Sequence, residues 1–499
     1  MSDGEEAKEK RPSKIARTGS FVDDRLGLAR VARTTLRKVF PDHWSFLLGE
    51  VALYSFVVLL LTGTYLTFFF KPSQAETTYE GSYDALRGVE MTRAYRSAVE
   101  LSFDVRAGLV MRQMHHWAAV VFVAAMVVHL ARVFFTGAFR RPRELNWIVG
   151  VTLLLLGIGN GFTGYSLLDD QLSGTGLRIA YSIVLSIPVI GTWITSLLFG
   201  GEFPGPDIIE RFFVLHILVV PALIIGLLVL HLAMVVHQKH TQFRGPGRRE
   251  DNVVGERIWP TYAVKASGLF FLTTGVLAAL GGLAQINPIW IYGPFEPSEV
   301  SAASQPDWYV GWLEGALRAM PAWELRAFGF ELPNPFFAGV LLPGLTFGLL
   351  YAWPFLEARF TKDRDEHHLL DRPRDRPIRT ALGVATLSFY AVLFLAGGSD
   401  VLSTELGLSV NKVIWSIRVS LFVVPIVTGL VTNRLCRELA ARDAEPPDDS
   451  SQSPPPGGAP ASVAIVDAER EPDRQEPIAW PPPVAVSRTS LPPARPLGS

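Results

Sequence analysis

Eight runs of about 20 apolar residues constrain this chain most, because a helix of that length crosses the roughly 30 Å hydrocarbon core of a bilayer. They cover residues 46–69, 112–136, 147–168, 213–236, 266–286, 336–357, 379–398 and 413–433 of the 499-residue sequence. Hydrophobic residues make up 49% of the chain. The sequence therefore predicts an all-α, polytopic membrane protein with eight transmembrane helices, and we expect no nucleic-acid partner.

A ninth apolar run, residues 177–199, is expected to stay outside the membrane as outer surface helices over 173–199. Pro188 and Gly191 divide it into two pieces that are each too short to cross. With eight spans, loops 137–146, 237–265 and 358–378 hold three, six and six Lys/Arg, whereas loops 169–212, 287–335 and 399–412 hold two, two and one. This is the positive-inside pattern and places both termini in the cytoplasm, although loop 70–111, with five basic residues, departs from it.

Four regions follow from this topology. Residues 1–45 are expected to form a cytoplasmic arm, with ten Lys/Arg before residue 41 and an interfacial amphipathic stretch near Leu36 to His43. The first apolar run reads as a retained span, since no signal-peptide pattern precedes it. Residues 46–240 and 241–435 each carry four spans, and the Pro-rich segment 436–499 is expected to be a disordered cytoplasmic tail.

Two of the spans carry pairs of histidines, and ionisable residues inside a membrane are usually functional. His115 and His129 are 14 residues apart, which places them about 21 Å apart along a helix and about 40° apart around it. His216 and His231 are 15 apart, or about 22 Å and about 60°. In the eight-span topology these two helices are parallel, so His115 should face His216 near the outer surface and His129 should face His231 near the inner one.

This arrangement predicts two haems, because imidazole is a usual axial ligand of haem iron and two histidines leave no site for oxygen. The single cysteine, Cys436, excludes internal disulfides, an all-cysteine metal cluster and thioether attachment through a CxxCH motif, so both haems should be bound non-covalently. His116 is excluded as a ligand because it lies about 140° from His129 around the helix. His237 is too far from His216, at about 31 Å. The simpler alternative is that the histidines make hydrogen bonds between helices.

Glycines and arginines support the haem interpretation. Gly49 and Gly63 in the first span, and Gly150 and Gly164 in the third, repeat the 14-residue interval. A porphyrin can approach a helix closely where there is no Cβ, although small residues also serve helix packing in membranes. Arg112 and Arg132 lie near the two ends of the second span, where a guanidinium could bind haem propionates, but Arg132 could also be a positive-inside anchor.

Four stretches resemble cytochrome b of the quinol–cytochrome c reductase (bc1-type) family, and the likeness extends over about residues 30–435. They are MRQMHHWAAVVFVAAMVVHLARVFFTGAFRRPRELNW, FFVLHILVVPALIIGLLVLHLAMVV, GYSLLDDQ and SQPDWYVGWLEGALRAMP. The PDWY motif, the VVHQKHTQFRGPGR stretch and the long tail are most similar to actinobacterial members, which oxidise menaquinol and are often joined to a terminal oxidase.

The resemblance implies particular quinone-site residues. Pro306, Asp307, Trp308 and Tyr309 match the PEWY motif, in which the acidic residue takes a proton from quinol at the outer site. His237 and Lys265 match inner-site positions, but Ala266 stands where an aspartate usually follows that lysine, and Leu168, Asp169 and Asp170 replace Pro-Trp-Gly. From the residues alone, the PDWY loop could be an interfacial anchor, and His237 and Lys265 could be ordinary interface residues.

The resemblance also implies the function. Quinol would be oxidised near the outer surface, one electron leaving to a Rieske iron–sulfur subunit and the other crossing through two b haems to an inner quinone, with proton translocation across the plasma membrane. A c-type cytochrome subunit and a dimer of the complex are the further partners expected. The alternatives are a haem-b membrane anchor of a dehydrogenase, and a proton-coupled transporter that uses its intramembrane histidines.

Overall fold

The computed structural model describes residues 20–21, 23–25, 27–299, 305–327, 329–444 and 465–466. Eight helices in it are long and apolar enough to cross a membrane: Trp44–Thr67, Gly108–Thr136, Glu144–Ser166, Ile208–His237, Ile258–Leu283, Asn334–Thr361, Pro377–Gly397 and Val410–Asp443. They confirm the all-α class and the eight predicted spans. Residues 1–19, 22 and 26 of the predicted N-terminal arm and most of the predicted disordered tail lie outside the described residues.

The ninth apolar run forms two short helices, Gln171–Leu185 and Gly191–Phe199. The chain breaks between them, where Val189 adopts a left-handed φ of 68° after Pro188. A side chain at Gly191 would lie 2.6 Å from the carbonyl oxygen of Val184, so the turn requires glycine there. Neither helix reaches the length of a span, as the sequence predicted.

The remaining elements are short. Helices cover Leu28–Leu36, Arg93–Phe103, Ile289–Tyr292, Trp308–Ala319 and Ser399–Leu406, with 3-10 turns at Asp84–Leu86 and Pro373–Asp375. Strands cover Val39–Phe40, Glu76–Thr78, Val254–Arg257, Glu90–Thr92, Leu325–Ala327, Phe330–Leu332 and Ile465–Val466. Antiparallel pairing joins Glu76–Thr78 to Glu90–Thr92 and Leu325–Ala327 to Phe330–Leu332, while Val254–Arg257 lies between Val39–Phe40 and Ile465–Val466.

Two predicted boundaries at the ends of the chain need correction. The helix of the arm is Leu28–Leu36, not a stretch near Leu36 to His43, because Val39 and Phe40 pair as a strand with Arg257 and Glu256. At the other end, the eighth helix continues to Ala444. The predicted start of the tail at residue 436 therefore falls inside a helix, where Cys436 is buried.

A hydrophobic core holds the first four spans together. Phe56 of the first span stacks on Phe122 of the second at 5.5 Å between ring centroids, and Ile224 of the fourth span packs into the same cluster. These three side chains line two separate cavities in the bundle, one on each side of them. The core thus forms a partition between the two cavities.

A buried ionic cluster joins the loops at one end of the bundle. Arg379 of the seventh span donates from Nη1 to Asp371 Oδ2 at 2.9 Å and also bonds Glu357 of the sixth span. Asp371 accepts a further contact from Arg140, in the loop after the second span, at 3.3 Å. Arg379, Asp371 and Arg140 are each less than a tenth exposed. The cluster therefore ties the histidine-bearing half of the protein to the other half.

Replacing Arg379 with Ala should lower the free energy of unfolding by about 3–5 kcal/mol, because it removes the cation that pairs with Glu357 and one of the cations that pair with the buried carboxylate of Asp371. Thermal unfolding of the detergent-solubilised protein measures this. Arg434→Ala is the matched control, since Arg434 bonds Glu438 on the exposed face of the eighth helix and should be dispensable. Equal unfolding temperatures for the two variants would contradict the structural role of the cluster.

Candidate functional site

The four histidines of the second and fourth spans meet as two pairs. The ring centroids of His115 and His216 are 6.1 Å apart, and those of His129 and His231 are 6.5 Å apart. The rings within each pair are nearly perpendicular, at 74° and 72°. The parallel spans therefore bring together the partners that the helical spacing and the loop charges predicted.

The separation within each pair fits one metal ion held from both sides. A metal–imidazole bond of about 2 Å on each side, plus about 1 Å from each nitrogen to its ring centre, gives about 6 Å between centroids. Among the described residues, no group of three or more His, Cys, Asp or Glu converges on a point that could hold a bare ion. Two nitrogen ligands suit haem iron, whose remaining ligands belong to the porphyrin.

Each histidine ring packs against one of the four glycines. A Cβ on Gly49 would lie 3.2 Å from His129, one on Gly63 would lie 3.2 Å from His115, and one on Gly150 would lie 3.7 Å from His231. A Cβ on Gly164 would overlap the ring of His216. The glycines of the first and third spans thus make room for the imidazoles of the second and fourth, which explains why they repeat the histidine interval.

Hydrogen bonds orient the rings of the first pair. Thr62 donates its hydroxyl to Val58 O at 2.7 Å, so its oxygen accepts from Nδ1 of His115 at 2.9 Å. Nδ1 of His216 donates to Asn160 O at 2.9 Å. The Nε2 atom of each ring is left for a ligand, as is usual for metal-binding histidines whose other nitrogen is held by the protein.

A π-helical turn reconciles the unequal intervals of the two histidine helices. His216 and His231 are 15 residues apart, against 14 for His115 and His129. Residues Leu215–Val219, which include His216, are π-helical within the fourth span. A π turn takes one residue more than an α turn, so it absorbs the extra residue and both rings meet their partners.

Each pair lines a cavity of about 390 Å³, a size typical of ligand sites. We name them the His115 cavity and the His129 cavity. The lining of the His115 cavity includes Gly63, Arg112, His115, His116, Tyr165, Gly164, Leu168, His216, Asp307 and Tyr309. The lining of the His129 cavity includes Gly49, Glu50, Tyr54, His129, Arg132, Gly150, His231, Lys239, His240 and Tyr262.

One arginine in each cavity has a buried N–H group that lacks a partner among the described residues. These atoms are Nη2 of Arg112 and Nε of Arg132. Arg112 also donates to Ser102 Oγ at 3.2 Å, and Arg132 lies 5.1 Å from the ring centre of Phe46. An unpaired buried guanidinium N–H is costly without an acceptor, so both arginines fit an anionic group such as a haem propionate.

Asp307 lies in the wall of the His115 cavity and accepts two hydrogen bonds. His116 Nε2 donates to Oδ1 at 2.8 Å, and the Tyr309 hydroxyl donates to Oδ2 at 2.9 Å. Burial acts to raise the pKa of Asp307, but the hydrogen bond and charge of His116, with the bond from Tyr309, hold it below its usual value. The side chain is thus kept as a carboxylate that can accept a proton.

His116 is a site residue that sequence reasoning missed. The helical angle correctly predicted that His116 lies on a different face from His129. No pattern in the sequence predicts its contact with Asp307, which lies 191 residues later in the chain. Tyr309 also packs closely against the third span, where a Cβ on Gly161 would lie 2.6 Å from the Tyr309 hydroxyl. Pro306 and Trp308 flank Asp307 in the chain but are not among the described residues that line the cavity.

The segment after the third span carries two buried carboxylates. Leu168 lines the His115 cavity, and Asp169 accepts a hydrogen bond from Thr92 Oγ1 at 2.7 Å. Burial raises the pKa of Asp169 and that of Asp170 to about 6. The segment that follows Leu168 therefore differs chemically from one built with Pro-Trp-Gly.

The predicted inner-site residues His237 and Lys265 are not among the described residues that line the His129 cavity. Lys265 is 48% exposed and bonds Asp42 at 2.7 Å and Glu256 at 3.0 Å. Glu50, a cavity residue that sequence reasoning missed, did leave a signal: it is an ionisable residue inside an apolar run.

Comparisons with known proteins agree with this geometry. Residues 120–294 match the family model described as cytochrome b (N-terminal)/b6/petB. Proteins named cytochrome bc1 complex cytochrome b subunit are similar: that of Streptomyces coelicolor is 52% identical over 86% of this chain and 79% of its own length. That of Mycobacterium bovis is 54% identical over 86% and 78%.

A solved structure titled hyperthermophilic respiratory Complex III shares the fold, with a TM-score of 0.60 and 21% identity over 82% of this chain and 99% of that one. The long match to the curated relatives decides the family. This chain belongs to the family of cytochrome b subunits of the cytochrome bc1 complex.

Proposed function

We propose that this chain is the di-haem subunit of a bc1-type complex. It would oxidise quinol in the His115 cavity and reduce quinone at the His129 cavity. The resemblance to actinobacterial members favours menaquinol as the quinol. The observation that carries the proposal is the stacking of two histidine pairs in one bundle, with a buried carboxylate beside one of them. Neither a dehydrogenase anchor nor a histidine-based transporter requires Asp307 at that position.

The residues present fit two haems. His115 with His216, and His129 with His231, would hold the two haem irons, while Arg112 and Arg132 would bind propionates. Haems held in this way would supply one-electron transfer between the two ends of the bundle. The glycines hold all four imidazoles in place for this ligation, and the Nδ1 partners add to this for His115 and His216.

At the His115 cavity the protein would act through proton transfer. The lining is mainly apolar, so a quinol ring can be buried there while its hydroxyl faces Asp307. Asp307 would take the proton as the quinol is oxidised. His116 and Tyr309 would position the carboxylate, since each holds one of its oxygens. One electron would leave to a Rieske iron–sulfur subunit that passes it to a c-type cytochrome subunit.

The charge of the loops supports the orientation in which the His129 cavity faces the cytoplasm. The three loops rich in Lys/Arg meet at that end, where Arg143 donates to His367 O at 2.7 Å and to Gln238 O at 3.0 Å. This is the arrangement that the positive-inside rule favours in a plasma membrane. Protons would then be released on the outer side and taken up on the inner side.

Replacing His129 with Leu should remove one haem and leave the other. Because the pairs lie in separate cavities, we expect haem content to fall from two per chain to one, measured by the pyridine haemochrome spectrum of the purified complex. His116→Gln, adjacent to a ligand but facing Asp307, should keep both haems. Retention of two haems in the His129 variant would refute the pairing.

Replacing Asp307 with Asn should slow quinol oxidation by about 10²–10⁴-fold, the usual contribution of a general base. Both haems should remain bound, since Asp307 contacts neither histidine pair in the structure. Steady-state quinol–cytochrome c turnover, together with the haem spectrum, separates the two effects. Turnover at the wild-type rate would show that Asp307 is not the general base for quinol oxidation.

Replacing Tyr309 with Phe should move the acid limb of the turnover-against-pH profile to higher pH. Tyr309 helps to hold the pKa of Asp307 low, so its loss raises that pKa and the carboxylate becomes protonated at a higher pH. A base must be unprotonated to act, so activity is lost earlier as the pH falls. Tyr83→Phe, in a surface loop, is the control, and an acid limb that stays in place in Tyr309→Phe would contradict the assignment.

A further inference from the structure

Glu50 is a carboxylate inside the first span, and it lines the His129 cavity. Two tyrosine hydroxyls donate to it: Tyr54 bonds Oε2 at 3.1 Å, and Tyr262, at the start of the fifth span, bonds Oε1. An acidic side chain is costly within a membrane, and such residues usually serve proton or substrate pathways. The two hydrogen bonds show how the bundle holds this carboxylate between the first and fifth spans.

The surroundings of Glu50 suit a flat, polar-edged ring. The ring of Phe40 lies 4.8 Å from that of Tyr262 and 4.8 Å from that of His240, measured between centroids. All three line the cavity that also contains His129 and His231. Aromatic walls with a few polar groups are typical of sites for small organic ligands.

His240 can accept a hydrogen bond in this cavity but is poorly suited to give a proton. Its Nδ1–H donates to Thr241 O at 2.6 Å, which leaves Nε2 as the acceptor. Burial lowers the pKa of His240 to about 4, so the ring is neutral at physiological pH. Lys265 is held at the surface by Asp42 and Glu256. Neither residue therefore fills the place of the aspartate that Ala266 replaces.

We propose that Glu50, held by Tyr262 and Tyr54, is the proton donor to quinone in the His129 cavity; this rests on the proposed function. Quinone takes up two electrons, one from each of two quinols oxidised at the other cavity, and two protons to become quinol. Glu50 supplies one proton and is reprotonated from the inner aqueous phase, where Asp42, Glu256 and Lys265 lie at the surface beside Tyr262. The other proton comes from the same aqueous phase.

The test follows b-haem absorbance in the purified complex mixed rapidly with quinol. In Glu50→Gln, quinol should reduce the haems at the wild-type rate, but their reoxidation by quinone should slow by about 10²-fold. Glu438→Gln is the matched control, because Glu438 lies on the exposed eighth helix and pairs with Arg434. The haem spectrum shows that each variant has assembled.

A second measurement separates proton donation from a structural role. The redox-difference infrared spectrum of the wild type should contain a carboxyl C=O band that is absent from Glu50→Gln and shifted in Tyr262→Phe. Haem reoxidation at the wild-type rate in Glu50→Gln would overturn this inference alone. The same holds if haem reoxidation is slow in Lys265→Met or His237→Gln but not in Glu50→Gln. Failure of quinol to reduce the wild-type haems would overturn the proposed function, and the inference with it.

Discussion

The packing of four imidazole rings against four glycines is the contact on which the rest of this structure depends. A buried polar ring costs free energy unless its nitrogen atoms find partners, and a helix bundle has little room for one. Glycine on the neighbouring span provides the room, and Thr62 and Asn160 O provide partners for His115 and His216. The first span is thereby matched to the second, and the third to the fourth.

The two ends of this frame carry different chemistry. At the His115 end, Asp307 is held by an imidazole and a phenol and has a lowered pKa, which suits a group that accepts a proton. At the His129 end, Glu50 is held inside the first span by two phenols, and we propose that it gives a proton to quinone. The partition of Phe56, Phe122 and Ile224 keeps the two cavities apart. The proton release and proton uptake that we propose would therefore take place in separate cavities of the bundle.

Local spacing predicted much of the site because its determinants are short in sequence. The 14-residue intervals of histidine and glycine lie within single helices, where α-helical geometry relates residue number to position. The 15-residue interval of the fourth span was visible too, but the π turn at Leu215–Val219 that accommodates it was not. The shift of the arm helix to Leu28–Leu36 depends on strand pairing with Val254–Arg257, more than 200 residues later.

The sequence by itself determined the eight spans, the face of each histidine helix and, through loop charge, that the two helices are parallel. These properties follow from hydrophobic length, helical period and charge, which are local. Only the tertiary structure decided that His116 bonds Asp307 and that Glu50 meets Tyr262, because each contact joins spans or loops that are far apart in the chain. Such pairings depend on how whole helices pack, and no periodicity within one segment specifies them.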